Sequence, residues 1–393
     1  MLASKVPSRE ELIGQVTGLA PRLREQGGWA EGNRRLSEET IELLAQTGVF
    51  RLRTPVRYGG YEVDTRTLID VAAALGRVDG SVAWTASVFW IPTWMVGLFP
   101  DEVQDEVFAT PDVRVCGTLS PTAFASAADG GVVVNGRWAF ITGAHHSHWQ
   151  EVIAVQPGPD GVPAPVMALV PMSDLQIVDD WHTSGLQGTG SVTTVADAVF
   201  VPQHRVLPLG AVLQGMGASL HHATSAIHRA PLLPVASASS VGTVLGLARA
   251  MQDVFLDRLS DRKITYTDHP SQREAAVTHL QVAEAALKTD EAEFHAYRLA
   301  DLVDRKATEG AEWTLPERAL ARADMGAACR LGKEAADILA AASGGNSIYQ
   351  RLPIQRIVHD IHAVNLHALM HPTTNYELYG RVLCGLEPNT QYL

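Results

Sequence analysis

Apolar positions recur at helical spacing through roughly the first 112 residues. Ile41 and Leu44 make one face behind Ser37, a residue type that caps helix N-termini, and Gly48 stands where such a helix would stop. Asp79-Gly80-Ser81 opens a second, denser apolar run that carries Trp84, Trp90 and Trp94. This run, Val82 to Phe99, contains Pro92 and scattered Thr and Ser, and reads as buried helix and turn rather than a membrane span. From about 113 to 207 the period shortens to that of strands. Ala128-Asp129-Gly130-Gly131 leads into Val132-Val133-Val134, and Asn135-Gly136 reads as the hairpin turn that follows. Val152–Val155 and Val166–Val170 read as further strands of a small antiparallel β-domain.

After a loop rich in small residues and histidine, the helical period returns. Leu280, Ala283, Leu287, Phe294 and Tyr297 mark one long helix. A second covers about 317–342 and stops at Ser343-Gly344-Gly345, and a last one runs from Ile354 to about Leu369. The expected fold is α+β in three parts: a helical domain over 1–112, a central β-domain over 113–212 and a four-helix bundle over 213–393.

At 393 residues the chain is too long for a single core. A net charge of −12 without a basic block argues against nucleic acid and anionic membrane as partners. Cys116, Cys329 and Cys384 are scattered and odd in number, which suits a reducing cytoplasm. Met1 to Ser8 lacks an apolar segment of signal-peptide length. His145, His146 and His148 cluster, but without a cysteine pair or an HExxH spacing no metal site is expected. Ser184-Gly-Leu-Gln-Gly-Thr-Gly-Ser191 is the segment richest in chemistry. Its small residues allow backbone to approach a ligand, and Ser191 can donate to a ligand oxygen; a tight turn between strands is the competing reading.

Taken in order, four segments resemble the acyl-CoA dehydrogenase superfamily: Cys116-Gly-Thr-Leu-Ser-Pro-Thr-Ala123, Gly136-Arg-Trp-Ala-Phe-Ile-Thr-Gly143, the 184–191 loop with Phe200-Val201-Pro202, and Gln355-Arg356 with Asp360. Where its dehydrogenases commonly carry a tyrosine and a glutamate base, this chain has His367 and Ala368. Alanine accepts no proton, so a dehydrogenase reading needs its base on an earlier helix, at Asp253 or Asp257. The better resemblance is to the two-component flavin-dependent monooxygenases, through Gly-Leu-Gln-Gly-Thr-Gly-Ser, Gly143-Ala-His-His146-Ser-His-Trp149 and Asp360 followed seven residues later by His367. It implies reduced flavin, FADH2 ahead of FMNH2, delivered by a separate reductase, with O2 as co-substrate and oxygen transfer from a flavin C4a-hydroperoxide. It also implies a homotetramer in which a neighbouring chain completes each flavin site.

The same resemblance implies residue roles. His367 would stand beside the peroxide, against the alternatives of a packed helix histidine or a His367/His371 metal pair. Ser120, with Leu119, would meet flavin N5 or its neighbouring oxygen, unless it is only a turn serine before Pro121. Phe140 and Thr142 would face the ring and Ser191 the phosphates or ring edge. Arg262 would meet a phosphate or stand solvated. Gly344, Gly345 and Gln355 would border a flavin held mainly by another chain. Trp90, Trp94, Phe124, Trp138, His146 and His371 are candidate substrate contacts, with Trp149 nearby and core packing as the alternative for the tryptophans. Relatives acting on phenols often carry a histidine where this chain has Pro92, which turns the expectation toward an electron-rich neutral ring of indole type from a natural-product pathway. N-oxygenation of an amine, phenol hydroxylation and acyl-CoA dehydrogenation are the alternatives, followed by a scaffold without chemistry.

Overall fold

The computed structural model describes residues 6–158, 161–221 and 225–393. Part of the stretch read for a signal peptide, residues 1–5, and part of the histidine-containing loop, residues 222–224, lie outside them. Among the described residues, six helices come first: α1 (Arg9–Gly18), α2 (Ala20–Asn33), α3 (Glu38–Gln46), α4 (Thr65–Gly76), α5 (Gly80–Val96) and α6 (Asp101–Phe108). Their starts are local chemistry. Ser37 Oγ accepts the Thr40 N–H at 3.1 Å to cap α3, and Asp79 accepts the Val82 N–H at 3.0 Å to cap α5. The apolar Val82–Phe99 run is core, with α5 buried on nearly every side. The one described helix apolar and long enough to cross a membrane lies later, over Leu232–Asp257, and 94% of its apolar window is buried inside the protein.

Eight strands follow: β1 (Val115–Gly117), β2 (Ala123–Ala128), β3 (Gly131–Ile141), β4 (Trp149–Pro157), β5 (Pro163–Pro171), β6 (Gln176–Val178), β7 (Val192–Pro202) and β8 (Val206–Pro208). They form one sheet in the order β6-β7-β3-β2-β4-β5-β8, with β1 beside β4. The expected antiparallel domain is in fact mixed, because β4 runs parallel to both β1 and β2. The second expected hairpin turn is also corrected. Asp129-Gly130 turns the chain, since Ala128 pairs with Gly131, but Asn135-Gly136 lies inside β3. There the pairing to β7 slips between Val134 and Gly136, and Asn135 Oδ1 accepts the Ala198 N–H at 2.7 Å. The Asn-Gly pair marks a bulge, not a turn. A Cβ at Gly136 would collide with Ala123 on the neighbouring strand.

The remaining helices are α7 (Leu209–Leu213), α8 (Leu232–Asp257), α9 (Ala276–Glu309), α10 (Leu315–Ala342), α11 (Pro353–Leu366) and α12 (Pro372–Leu383). Helices α8 to α11 pack together, and α4 and α5 lie against α8. Two expectations change. The last expected helix breaks at His367, whose backbone leaves the helix (φ −62, ψ 133), and α12 begins after a turn. On α9 the inward face is Ala285, Ala292, Ala296, Leu299 and Val303, while Leu280, Leu287 and Phe294 are exposed. Small side chains let α9 approach its neighbours closely, which leaves the larger apolar row outside.

Candidate active site

The 184–191 loop joins β6 to β7 and is wedged among helices. A Cβ at Gly185 would collide with the carbonyl of His359 on α11, and one at Gly188 would press on Ala30 and Ser81 at 3.0 and 3.1 Å. Leu186 sits in the left-handed region at φ 51, unusual for a side-chain-bearing residue. Its N–H donates to Asp360 Oδ1 at 2.6 Å, which holds the loop to α11. The tight-turn reading holds, and the turn over Gln187–Thr189 delivers hydroxyls into a buried row. Thr189 Oγ1 donates to Leu186 O at 2.8 Å and lies 2.7 Å from Ser191 Oγ, which lies 2.8 Å from Thr142 Oγ1. Thus Thr142 and Ser191, both expected from sequence, are brought together. Phe140, two residues before Thr142, is 68% exposed at φ 64, its ring edge-on to Trp181 at 6.0 Å. Trp181 Nε1 in turn donates to Leu186 O at 3.0 Å.

His367 ends α11. Its Nδ1 accepts the Leu369 N–H at 3.3 Å, which leaves the ring proton on Nε2. Its ring meets the edge of Trp84 at 5.2 Å. His367 is exposed at the surface of this chain, although protein atoms are dense around its imidazole. Loss of hydration there pushes its pKa down to about 4, with no charged neighbour contributing. The imidazole is therefore neutral at physiological pH. On α5, Val88, Ile91 and Pro92 share the helix face of Trp84, and Val88 and Ile91 are partly exposed. Leu119 and Leu369 are likewise half-buried against the same core. Ser120 is exposed, and its N–H reaches only Thr118 Oγ1, at 3.4 Å. Two open surface clefts lie elsewhere, one around Arg51 and Asp112 and one around Arg77 and Asp253; neither includes any of these residues.

A second group forms where α8 and α10 end. Arg262 donates to Ser343 O, and a Cβ at Gly344 would lie 3.5 Å from its guanidinium. Gly344 sits at φ 62, and nothing lies within 4 Å of a Cβ at Gly345. Burial, with the Arg258 charge, lowers the Arg262 pKa. Arg262, Gly344 and Gly345 are thus together; Gln355, partly exposed on the first turn of α11, has no recorded tie to them.

Other candidates have structural work instead. Trp90, Trp94 and Trp138 are fully buried, their indole N–H groups donating to the carbonyls of Val49 (2.7 Å), Ile227 (2.7 Å) and Ile153 (3.0 Å). With the ring enclosed and the polar tip taken, none presents a face to a substrate. His146 is buried, Nε2 at 3.0 Å from Leu36 O and Nδ1 at 3.3 Å from Glu38, so it ties the β3–β4 connection to the start of α3. Trp149 is also core. Phe124 lies exposed on β2, on the face away from the buried Ala123 and Ala125. His371 precedes α12, its N–H donating to His367 O at 3.0 Å and its buried Nδ1 without a partner. Sequence reasoning named Trp84 only as part of an apolar run and did not single out Val88 or Ile91, although their spacing marks one face of α5; Trp181, and Tyr392 discussed below, carry no sequence signal.

The catalytic alternative also has an answer here. Asp253 is bound by both Nε and Nη2 of Arg77, at 2.5 and 2.8 Å, in a surface cleft, Asp257 is exposed at the end of α8, and Ala368 occupies the family's usual position for a base. Comparison with known proteins agrees. Residues 19–111 match the family described as "Acyl-CoA dehydrogenase, N-terminal domain", and residues 238–372 match "Acyl-CoA dehydrogenase, C-terminal domain". The chain is 30% identical over 391 residues to the FADH(2)-dependent resorcinol hydroxylase, oxygenase component, of a Rhizobium species, covering 97% of this chain and 96% of that one. The chain belongs to the flavin-dependent monooxygenases of the acyl-CoA dehydrogenase family. The oxygenase is also 29% identical over 387 residues to an indole-3-acetate monooxygenase of Acinetobacter baumannii, covering 96% and 95%. Among solved structures it is similar to XiaF from a Streptomyces species in complex with FADH2 and glycerol, at TM-score 0.90 and 28% identity over 97% of both chains. A flavin is therefore the cofactor this oxygenase accepts. The residues fit one: the buried hydroxyl row of Thr142, Ser191 and Thr189, whose protons are taken up along the row and by Leu186 O, offers acceptor oxygens to a ring N–H, and Arg262 beside two bare glycines suits a phosphate.

Proposed function

We propose that this oxygenase hydroxylates an uncharged, electron-rich aromatic ring of indole type, using reduced flavin, FADH2 in preference to FMNH2, from a separate reductase. The carrying observation is the neutral His367, edge-on to Trp84, with no charged group among the described residues contributing to its lowered pKa. A carboxylate- or phenolate-bearing substrate would need a cation or base there. A neutral indole would not. Pro92 on the same helix face supplies neither. When bound, reduced flavin supplies the electrons that activate O2, one oxygen atom going to the ring and the other to water. His367 Nε2–H donates a hydrogen bond to oxygen; with Nδ1 held by the Leu369 N–H and its pKa lowered to about 4, the imidazole is a poor base. Trp84, Val88, Ile91 and Leu369 exclude water, which lengthens the life of a reactive site. Thr142 and Ser191 orient the ring edge; Leu119 and Ser120 border it. Arg262, Gly344 and Gly345 bind phosphate on a flavin whose ring lies against a neighbouring chain in a tetramer. The similarity to an indole-3-acetate monooxygenase supports the indole ring but not its carboxylate, for which this chain offers no cation beside His367, and that to a resorcinol hydroxylase keeps phenol as the second reading.

The test supplies indole, reduced FAD and O2. Indigo, the dimer formed after 3-hydroxylation, is the expected product. No colour from indole together with efficient turnover of a simple phenol would defeat the proposal.

A further inference from the structure

Two walls of the proposed site, the 367–371 turn and the 118–121 loop, are joined by an unbroken chain of hydrogen bonds through Asn375, Arg322 and Tyr392. Asn375 Nδ2, on α12, donates to Leu369 O at 2.9 Å. Arg322 Nε, on α10, donates to Asn375 Oδ1 at 2.8 Å. Arg322 Nη1 donates to Tyr392 O at 2.6 Å, and the Tyr392 hydroxyl donates to Leu119 O at 3.0 Å. Leu369 is the residue whose N–H fixes the His367 tautomer, and Leu119 directly precedes Ser120. Asn375 and Arg322 are buried, at 0% and 6% exposure, and Arg322 has neutral partners only, so its fork orients rather than neutralises. A buried guanidinium spending two donors on a side-chain amide and one distant carbonyl is costly unless both acceptors stay in place.

We infer that Tyr392 is a positioning residue: with Arg322 and Asn375 it straps the His367 turn to the Leu119–Ser120 loop, so that the oxygen-facing donor and the flavin-facing loop move as one body. The inference rests on the reading of His367 and Ser120 as two sides of one site. Tyr392→Phe removes only the hydroxyl and keeps the ring packed. Hydrogen exchange on the flavin-free protein is expected to speed up in both 117–122 and 367–371, roughly three- to tenfold, the range one net hydrogen bond covers. The FADH2-loaded variant, mixed with O2 without substrate, is expected to release hydrogen peroxide faster by a similar factor, at an unchanged melting temperature. Arg322→Gln is expected to spread the exchange to the same two segments. Exchange confined to 389–393 in both variants would overturn the strap. His367→Ala run alongside separates the two claims: faster peroxide release there with none from Tyr392→Phe overturns the strap alone, while unchanged release from His367→Ala overturns the reading of the site.

Discussion

Asp360 and Leu186 stand 174 residues apart in the chain and 2.6 Å apart in the fold, Asp360 Oδ1 accepting the backbone N–H. The bond holds a strained, left-handed leucine at the entrance of the hydroxyl-bearing turn. The second oxygen of Asp360 is buried without a partner. Burial first, then the nearby Asp79 charge, pushes its pKa up to about 8. Asp360→Asn keeps a neutral acceptor and is expected to preserve folding and flavin binding. Asp360→Ala orphans the Leu186 N–H, at a cost of about 1–3 kcal/mol, read as a lower denaturation midpoint and weaker flavin binding. Equal behaviour of the two variants would contradict this.

His367→Ala is expected to leave the fold and flavin binding intact but uncouple turnover. One hydrogen bond to a polar or charged group is worth roughly 1.5–3 kcal/mol, on the order of ten- to a hundredfold in the lifetime it protects. Peroxide measured against product checks it; unchanged coupling in a well-folded variant would sink the assignment.

The lowered His367 pKa carries its own sign. The native imidazole stays unprotonated until the pH nears 4, whereas a free histidine protonates near 6.5. Coupling should therefore be flat between about pH 6 and 8 and fall only toward pH 4. A coupling profile that titrates near 6.5 would mean that the imidazole is hydrated.

Glu151 on β4 is fully buried with both oxygens unpartnered, and burial raises its pKa well above the usual value. The native state holds this proton where the unfolded chain loses it, so the group subtracts stability progressively as pH rises above about 4.5. Glu151→Gln copies the protonated form and removes that loss. The melting temperature of the variant should exceed that of the native protein more at pH 7.5 than at pH 5. A gain that is larger at pH 5 would reverse the argument.

Assembly is testable on α9. Leu280, Leu287 and Phe294 repeat every seven residues on an exposed face, a row that a neighbouring subunit would cover. Light scattering should report a dimer of dimers, and the double change Leu287→Glu with Phe294→Glu should shift it to smaller species. A fully active monomer at micromolar concentration would refute the expectation.

What the sequence determined by itself were features set by neighbours in the chain. Ser37 and Asp79 start their helices because a cap needs only the next three residues, and Asp129-Gly130 turns a hairpin for the same reason. The order of helices, strands and helices, and the small-residue motifs that resemble the family, were legible because they are linear patterns. Tertiary structure decided what depends on which surface meets which. Asn135-Gly136 has the composition of a turn, yet strand pairing on both sides carries the chain straight through it as a bulge. The tryptophans of α5 share one composition, but Trp84 meets His367 while Trp90 and Trp94 are enclosed, because a helix face is chosen by its neighbours rather than by its residues. The neutral state of His367 comes from atoms that crowd it after folding, and the strap from Leu369 through Asn375, Arg322 and Tyr392 to Leu119 joins segments with no shared pattern. Such contacts exist only once the chain has closed on itself, since desolvation and long-range hydrogen bonds are properties of the packed state.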